Sequence, residues 1–190
     1  MTYDYVFICA MKEEADYIIN CFKMDKIDDS TYVSTSYKML LVICGIGLSN
    51  VVKNLSHRDF GGATIINVGY VGSPLYNVGD VVQCSVVKRL FEPQKVKNLN
   101  YTYSLPVLVS EMPKTTLLTA DDFVEDTEVS IKDCVVDMEG YYIASMFPNM
   151  HIVKVVSDNL SMKAFDDNTR SDLLSKAWKN LLDNLKAVIA

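Results

Sequence analysis

Four short apolar runs constrain this chain more than any other feature: Tyr5–Ala10, Met39–Cys44, Thr64–Val68 and Ile152–Val156. Each is nearly continuous rather than alternating, and they are rich in Val and Ile. A strand of that pattern needs cover on both faces, as a parallel strand inside an α/β sheet has. Segments with helical spacing lie between them. Ala15, Ile18, Ile19 and Phe22 recur at i, i+3, i+4 and i+7. From about Asp166, Leu173, Leu174, Ala177, Trp178, Leu181, Leu182, Leu185 and Val188 share one broad face. The opening Asp-Asp-Asn-Thr supplies N-cap chemistry for a long C-terminal helix.

Further strands are expected at Val78–Val87 and Lys38–Ile43, with Tyr32–Ser36 pairing with the latter as a hairpin across Tyr37. The segment Phe91–Lys114 holds Pro93, Pro106 and Pro113 and reads as loop with one strand at Val107–Ser110. Strands alternating with helices predict a three-layer α/β/α fold with a twisted, mostly parallel central sheet. At 190 residues the chain is expected to form a single domain, 1–190, with a core that needs no staples.

The net charge of -6 argues against a nucleic-acid or anionic-membrane surface, and no basic stripe is present. Cys9, Cys44 and Cys134 sit in or at the ends of apolar runs, where a thiol acts as a small hydrophobe. Together with Cys21 and Cys84 they form no CxxC pair, and His57 and His151 are not spaced as ligands with them. No metal and no cofactor are expected. No apolar stretch approaches membrane-spanning length and no basic n-region opens the chain, so the expected location is cytoplasmic.

In open α/β sheets, ligands bind beyond the carboxyl ends of the strands. Glu14 begins the helix after the first run. Asp137 and Glu139 follow Cys134-Val135-Val136, and Ser157-Asp158 follows Ile152–Val156. Each has a plainer account: Glu14 complements a helix dipole, and Asp158 caps a helix. Three strands delivering carboxylates to one edge is harder to explain that way. Seven of the eight glycines lie between Gly45 and Gly79. Cys44-Gly45-Ile46-Gly47-Leu48-Ser49-Asn50 invites a dinucleotide reading, but Asn50 stands where its third glycine belongs, and a tight strand-to-helix turn accounts for it equally.

The order of these motifs is similar to that of the methylthioadenosine/S-adenosylhomocysteine nucleosidases, within the purine nucleoside phosphorylase superfamily. Ala10-Met11-Lys12-Glu13-Glu14 resembles their opening, and Cys44-Gly45-Ile46-Gly47 their second glycine turn. Ile66-Asn67-Val68-Gly69 with Val78-Gly79-Asp80-Val81-Val82 resembles their central strand-loop-strand. Val136-Asp137-Met138-Glu139-Gly140 and Val156-Ser157-Asp158 resemble their ribose-binding and base-protonating segments. The match runs from Tyr5 to about Phe165, in the family's order.

The resemblance implies a nucleoside phosphorylase-like fold, a homodimer, and hydrolysis of the N-glycosidic bond of a purine nucleoside. Asp158, held by Ser157, would protonate purine N7 as general acid. Glu139 would hold the ribose hydroxyls and stabilise the cationic sugar, with Met138 packed beneath. Glu14 would take a proton from the attacking water. Phe123 would stack on the purine, Val124 would contact the base edge through its backbone, and Met11, Ile46 and Tyr70 would complete the pocket. Phe123 reads equally as a core aromatic. Tyr70 stands where the family has a small residue, and the Val87–Lys114 stretch is shorter than in typical members.

Two other readings stay open beside the hydrolase. A phosphorylase needs cations around its anionic nucleophile, but Asn67 stands where that pattern has Arg, and Lys12-Glu13-Glu14 replaces the phosphate cradle. A non-catalytic nucleoside binder would have no use for Glu14, Glu139 and Asp158 together.

Overall fold

The apolar runs become the middle of one sheet. The computed structural model describes residues 2–90, 102–124, 133–160 and 167–189. In chain order its elements begin with β1 (Tyr5–Cys9), α1 (Lys12–Phe22), β2 (Asp25–Lys26), β3 (Thr31–Ser34), β4 (Met39–Ile43) and α2 (Gly47–Leu55). There follow β5 (Thr64–Gly72), β6 (Val81–Arg89), β7 (Thr102–Ser104) and β8 (Lys114–Thr119). The last are β9 (Cys134–Asp137), α3 (Gly140–Met146), β10 (His151–Asp158) and α4 (Asp167–Ile189).

The strand β1 runs parallel to both of its neighbours, β4 and β5, and β10 runs parallel to β5 on the other side. Continuous hydrophobicity is needed here because successive side chains point to opposite faces and both faces are covered. Val6 and Ile8 enter a core with Val51 and Leu55 of α2 and Ile143 of α3. Phe7 and Cys9 enter another with Ile18 and Phe22 of α1 and Trp178 and Leu181 of α4. Each such side chain, fully buried, stabilises the fold by roughly 1.5–3 kcal/mol.

The sheet is mixed rather than mostly parallel. Among the described residues, five strand pairings are parallel and five are antiparallel. Connection length explains the difference. A parallel neighbour needs a crossover of about a dozen residues or more. Only residues 73–80 join β5 to β6, so β6 turns back and lies antiparallel to β10. From there β8 and β9 add on in parallel, and Val136 of β9 meets Gly72 of β5, so these strands close into a ring.

Two local expectations fail for visible reasons. Strand β6 begins at Val81, not Val78, because Asn77–Asp80 is a turn: the Asn77 N–H donates to Asp80 Oδ2 at 2.8 Å, and Gly79 takes φ +94°. No strand forms at Val107–Ser110. That backbone docks instead on the buried Gln83 side chain, which accepts from the Leu108 and Val109 N–H groups at 3.1 and 3.2 Å and donates to Met112 O at 2.9 Å. The strand inside this region is β7, antiparallel to β6, and β8 begins at its last residue, Lys114, parallel to β6. Asp166 and residues 91–101 of the expected Phe91–Lys114 loop lie outside the described residues.

Candidate active site

The carboxyl ends of β1, β5, β9 and β10 open onto one cavity of about 760 Å³. Glu14 enters it from the first turn of α1. Its Oε2 accepts the Ala10 and Met11 N–H groups at 3.0 and 2.9 Å, and its Oε1 accepts the Tyr70 N–H at 2.8 Å. Glu14 therefore caps its own helix and also ties it to β5. A Cβ on Gly69 would sit 2.6 Å from Glu14 Oε1, so only glycine admits this carboxylate. Burial pushes the Glu14 carboxyl above its usual value, against the pull of Lys154 and the three N–H donors.

Behind Glu14 lies a buried charge cluster. Asp137, at the end of β9, accepts the Thr119 hydroxyl at 2.7 Å and the Gly140 N–H at 3.0 Å. Lys154 Nζ stands 3.0 Å from Asp137 Oδ2. In the sheet register Lys154 lies beside Gly69, the residue over which Glu14 leans. Burial pulls the Lys154 ammonium down, but Asp137, Glu14 and Glu139 together hold it above its usual value. Glu139, just before α3, accepts the Gly47 N–H at 2.8 Å. Burial and the Asp137 charge push the Glu139 carboxyl up to about 7, although Lys154 and that N–H oppose the shift. Three carboxylates face one ammonium, and burial pushes both Glu14 and Glu139 towards protonation.

Asp158 closes β10. Its Oδ2 accepts the Ser157 hydroxyl at 2.9 Å and its Oδ1 the Leu160 N–H at 3.0 Å. Gly72 lies opposite, where a Cβ would come within 2.6 Å of Asp158 Oδ1. Glycine at 69 and 72 thus lets two carboxylates lean over the same strand, β5.

Every residue expected to act on or bind the nucleoside borders this cavity: Met11, Glu14, Ile46, Tyr70, Phe123, Val124, Met138, Glu139, Ser157 and Asp158. Phe123 is 87% exposed, which removes its reading as a core aromatic. The Tyr70 ring turns away from the three carboxylates. Its hydroxyl accepts the Trp178 indole N–H at 2.9 Å, and Trp178 stacks on Tyr17 with centroids 4.6 Å apart. The larger side chain is thus absorbed between α1 and α4. Asn67 does not border the cavity; its amide donates to Ile8 O at 3.0 Å inside the sheet. The Gly47 N–H of the glycine turn already holds Glu139, so the turn offers no vacant cradle for a dinucleotide phosphate.

Sequence reasoning missed the buried Lys154, and it missed Arg170 and Leu174 of α4, both of which border the cavity. The Arg170 Nε–H donates to Ser157 O at 3.1 Å. A signal for Lys154 was present: a lysine inside Ile152–Val156, a strand buried on both faces, has to be met by carboxylates.

The sequence matches no protein-family profile and, by sequence, no curated protein. Solved structures do match. A variant of the MTAN from Chlamydia trachomatis aligns with a TM-score of 0.76 at 19% identity, covering 99% of this chain and 98% of that one. The 5′-methylthioadenosine/S-adenosylhomocysteine nucleosidase of Neisseria meningitidis, in complex with methylthio-immucillin-A, aligns at 0.73 and 19%, covering 97% of each chain. Futalosine hydrolase of Helicobacter pylori aligns at 0.70 and 17%, covering 100% and 98%. At this identity and near-complete coverage the likeness establishes the fold: this chain is built as those nucleosidases and that hydrolase are.

Proposed function

We propose that this protein is a purine nucleosidase, hydrolysing the N-glycosidic bond of a methylthioadenosine- or S-adenosylhomocysteine-like nucleoside to free base and sugar. The observation that carries this reading is the convergence of Asp158, Glu139 and Glu14 on one cavity, in a fold shared with such enzymes. The purine stacks on Phe123, with the Val124 backbone at its edge. Asp158, oriented by Ser157, gives its proton to N7 as the bond from C1′ to N9 breaks and its electron pair passes to the base. Glu139 accepts from the ribose hydroxyls, and its negative charge steadies the cationic sugar over Met138.

Water then bonds to C1′ and its proton passes to Glu14. Each carboxylate oxygen can accept two hydrogen bonds. Glu14 Oε1 holds one, from Tyr70, so a site for the water remains. Met11 and Ile46 border the same cavity and complete the substrate pocket. No cofactor takes part in this scheme. Residues 1–190 are proposed to act as one domain.

The protein is further proposed to act as a homodimer in the cytoplasm. Ile46, Leu48 and Val52 at and along α2 are 44%, 41% and 41% exposed, an apolar stripe suited to a second copy. Among the described residues no helix is long and apolar enough to cross a membrane. Incubation with methylthioadenosine in phosphate-free buffer, followed by chromatography for adenine, tests the activity. Intact nucleoside after prolonged incubation with folded protein would overturn it.

A further inference from the structure

Arg89, Asp121 and Tyr142 come from three elements and meet at one carboxylate. Arg89 ends β6, Asp121 lies just past β8, and Tyr142 lies in the first turn of α3. The Arg89 guanidinium donates to Asp121 Oδ2 at 2.6 Å, and the Tyr142 hydroxyl donates to Asp121 Oδ1. The same guanidinium lies 5.4 Å from the centroid of the Tyr142 ring. Tyr142 is 4% exposed and belongs to the core, and Arg89 ends a strand paired on both sides. Two of the three partners are therefore fixed by the fold.

The third belongs to the loop that carries Phe123. That ring is 87% exposed, so packing does not hold it in place. After Ala120, whose N–H donates to Asp137 O at 2.9 Å, the next tether along the loop is the Asp121 side chain. Because the Asp121 side chain is itself about half exposed, its bare charge counts for little. What distinguishes it is simultaneous acceptance from a fixed hydroxyl and a fixed guanidinium. Tyr142 first, then Arg89, hold the Asp121 carboxyl below its usual value, so it stays an acceptor. Through α3 the tether also reaches the sugar side: the Tyr142 N–H donates to Glu139 O at 2.9 Å.

We infer that Asp121 is a positioning residue for the base, clamped by Arg89 and Tyr142 so that Phe123 and Val124 stand at a fixed distance from Glu139. The inference rests on the purine-site reading of the cavity. Val124 packs on Ala120, Cys134 and Val136, so loss of the clamp loosens Phe123 between them while leaving Glu139, Glu14 and Asp158 in place. The effect therefore falls on affinity for the purine and not on the rate of the bound complex.

The test compares Asp121→Asn, Tyr142→Phe and Asp121→Glu with the unmodified protein. KM for methylthioadenosine and the Kd of free adenine, by calorimetry, should both rise about tenfold in the first two, the size expected from losing a charged hydrogen bond. The turnover number should stay within about threefold, since the transition-state contacts are kept. Asp121→Glu, which keeps the charge, should recover part of the affinity. Unchanged KM and Kd in folded variants, with only a lower Tm, would make the clamp merely structural and overturn the inference. So would a fall in kcat at constant KM. If the unmodified protein neither binds adenine nor releases it, the purine-site reading itself fails, and the two failures are thereby told apart.

Discussion

Lys154 Nζ lies 3.0 Å from Asp137 Oδ2, and neither side chain is more than 3% exposed. An ion pair so completely buried gains little over an apolar pair, but breaking it strands a charge. Here three carboxylates depend on the one ammonium. Lys154→Met should therefore destabilise the protein by about 3–5 kcal/mol. Removing the partner as well, in Lys154→Met with Asp137→Asn, should recover part of that loss. Urea unfolding measures both, and a single-variant loss below about 1 kcal/mol would show that the pair is not the uncompensated charge assumed here.

The pH dependence of stability should carry the mark of Glu139. Its carboxyl is raised from an ordinary 4.5 to about 7. Between those values the folded protein holds a proton that the unfolded chain has released. Stability from this group is thus greatest at low pH and declines as pH rises towards 7, levelling above it. The ribose-binding role proposed for Glu139 needs the ionised form, so activity should climb over the same window. In Glu139→Gln the decline should shrink to the part that Glu14, also raised by burial, contributes. Urea midpoints at pH 5 and 7.5 in both proteins settle the matter; an identical slope in the variant would assign the dependence elsewhere.

The parts of the fold legible in the sequence were those whose burial dictates composition. Strands β1, β4, β5 and β10 read as apolar runs because both faces are covered, and the long face of α4 read because it packs as one stripe. Strand β8, Lys-Thr-Thr-Leu-Leu-Thr, did not stand out. Of its threonines, Thr119 serves a polar network, donating to Asp137. Val107–Ser110 looked like a strand because its apolar residues pack, but its backbone partner is the Gln83 side chain, a pairing no local pattern announces. In the site, carboxylates after strand ends were legible because position alone marks them. Lys154 was passed over because an apolar run draws the eye past its one charge.

Asp158→Asn should lower turnover by about 10²–10⁴-fold, the usual contribution of a general acid. The fold should survive, since the amide oxygen can still accept the Leu160 N–H that Asp158 Oδ1 now accepts. Steady-state kinetics beside a thermal melt checks this, and a folded variant of near-normal activity would end the assignment.

Self-association through α2 should be visible in solution. Light scattering at micromolar concentration should give about twice the 21.3 kDa chain mass. Introducing a charge at Leu48 or Val52, both 41% exposed, should return the monomer at little cost to the fold, because a surface position tolerates the change. A monomer in the unmodified protein would overturn the dimer, and a dimer indifferent to both charges would move the interface elsewhere.

The nucleophile should be water and not phosphate. The chain has three arginines, Arg58, Arg89 and Arg170. Arg58 donates to Asn54 O and the Thr31 hydroxyl, and Arg89 is held by Asp121; of the three, Arg170 alone borders the cavity, with its Nε–H on Ser157 O. Lys154 is already surrounded by carboxylates. A phosphate approaching Glu14 would meet repulsion of about 4 kcal/mol per pair of unit charges at 4 Å and an effective dielectric of about 20. Water gains instead, because Glu14 can take its proton. Release of base should therefore proceed in phosphate-free buffer, with no sugar 1-phosphate formed when phosphate is added. Glu14→Gln should slow hydrolysis strongly and change KM little, since the contact belongs to the transition state. The amide nitrogen cannot accept, so the variant also loses some of the hydrogen bonds from Ala10, Met11 and Tyr70, and a thermal melt must accompany the kinetics. Base release that depended on phosphate and yielded the 1-phosphate ester would replace the hydrolase with a phosphorylase.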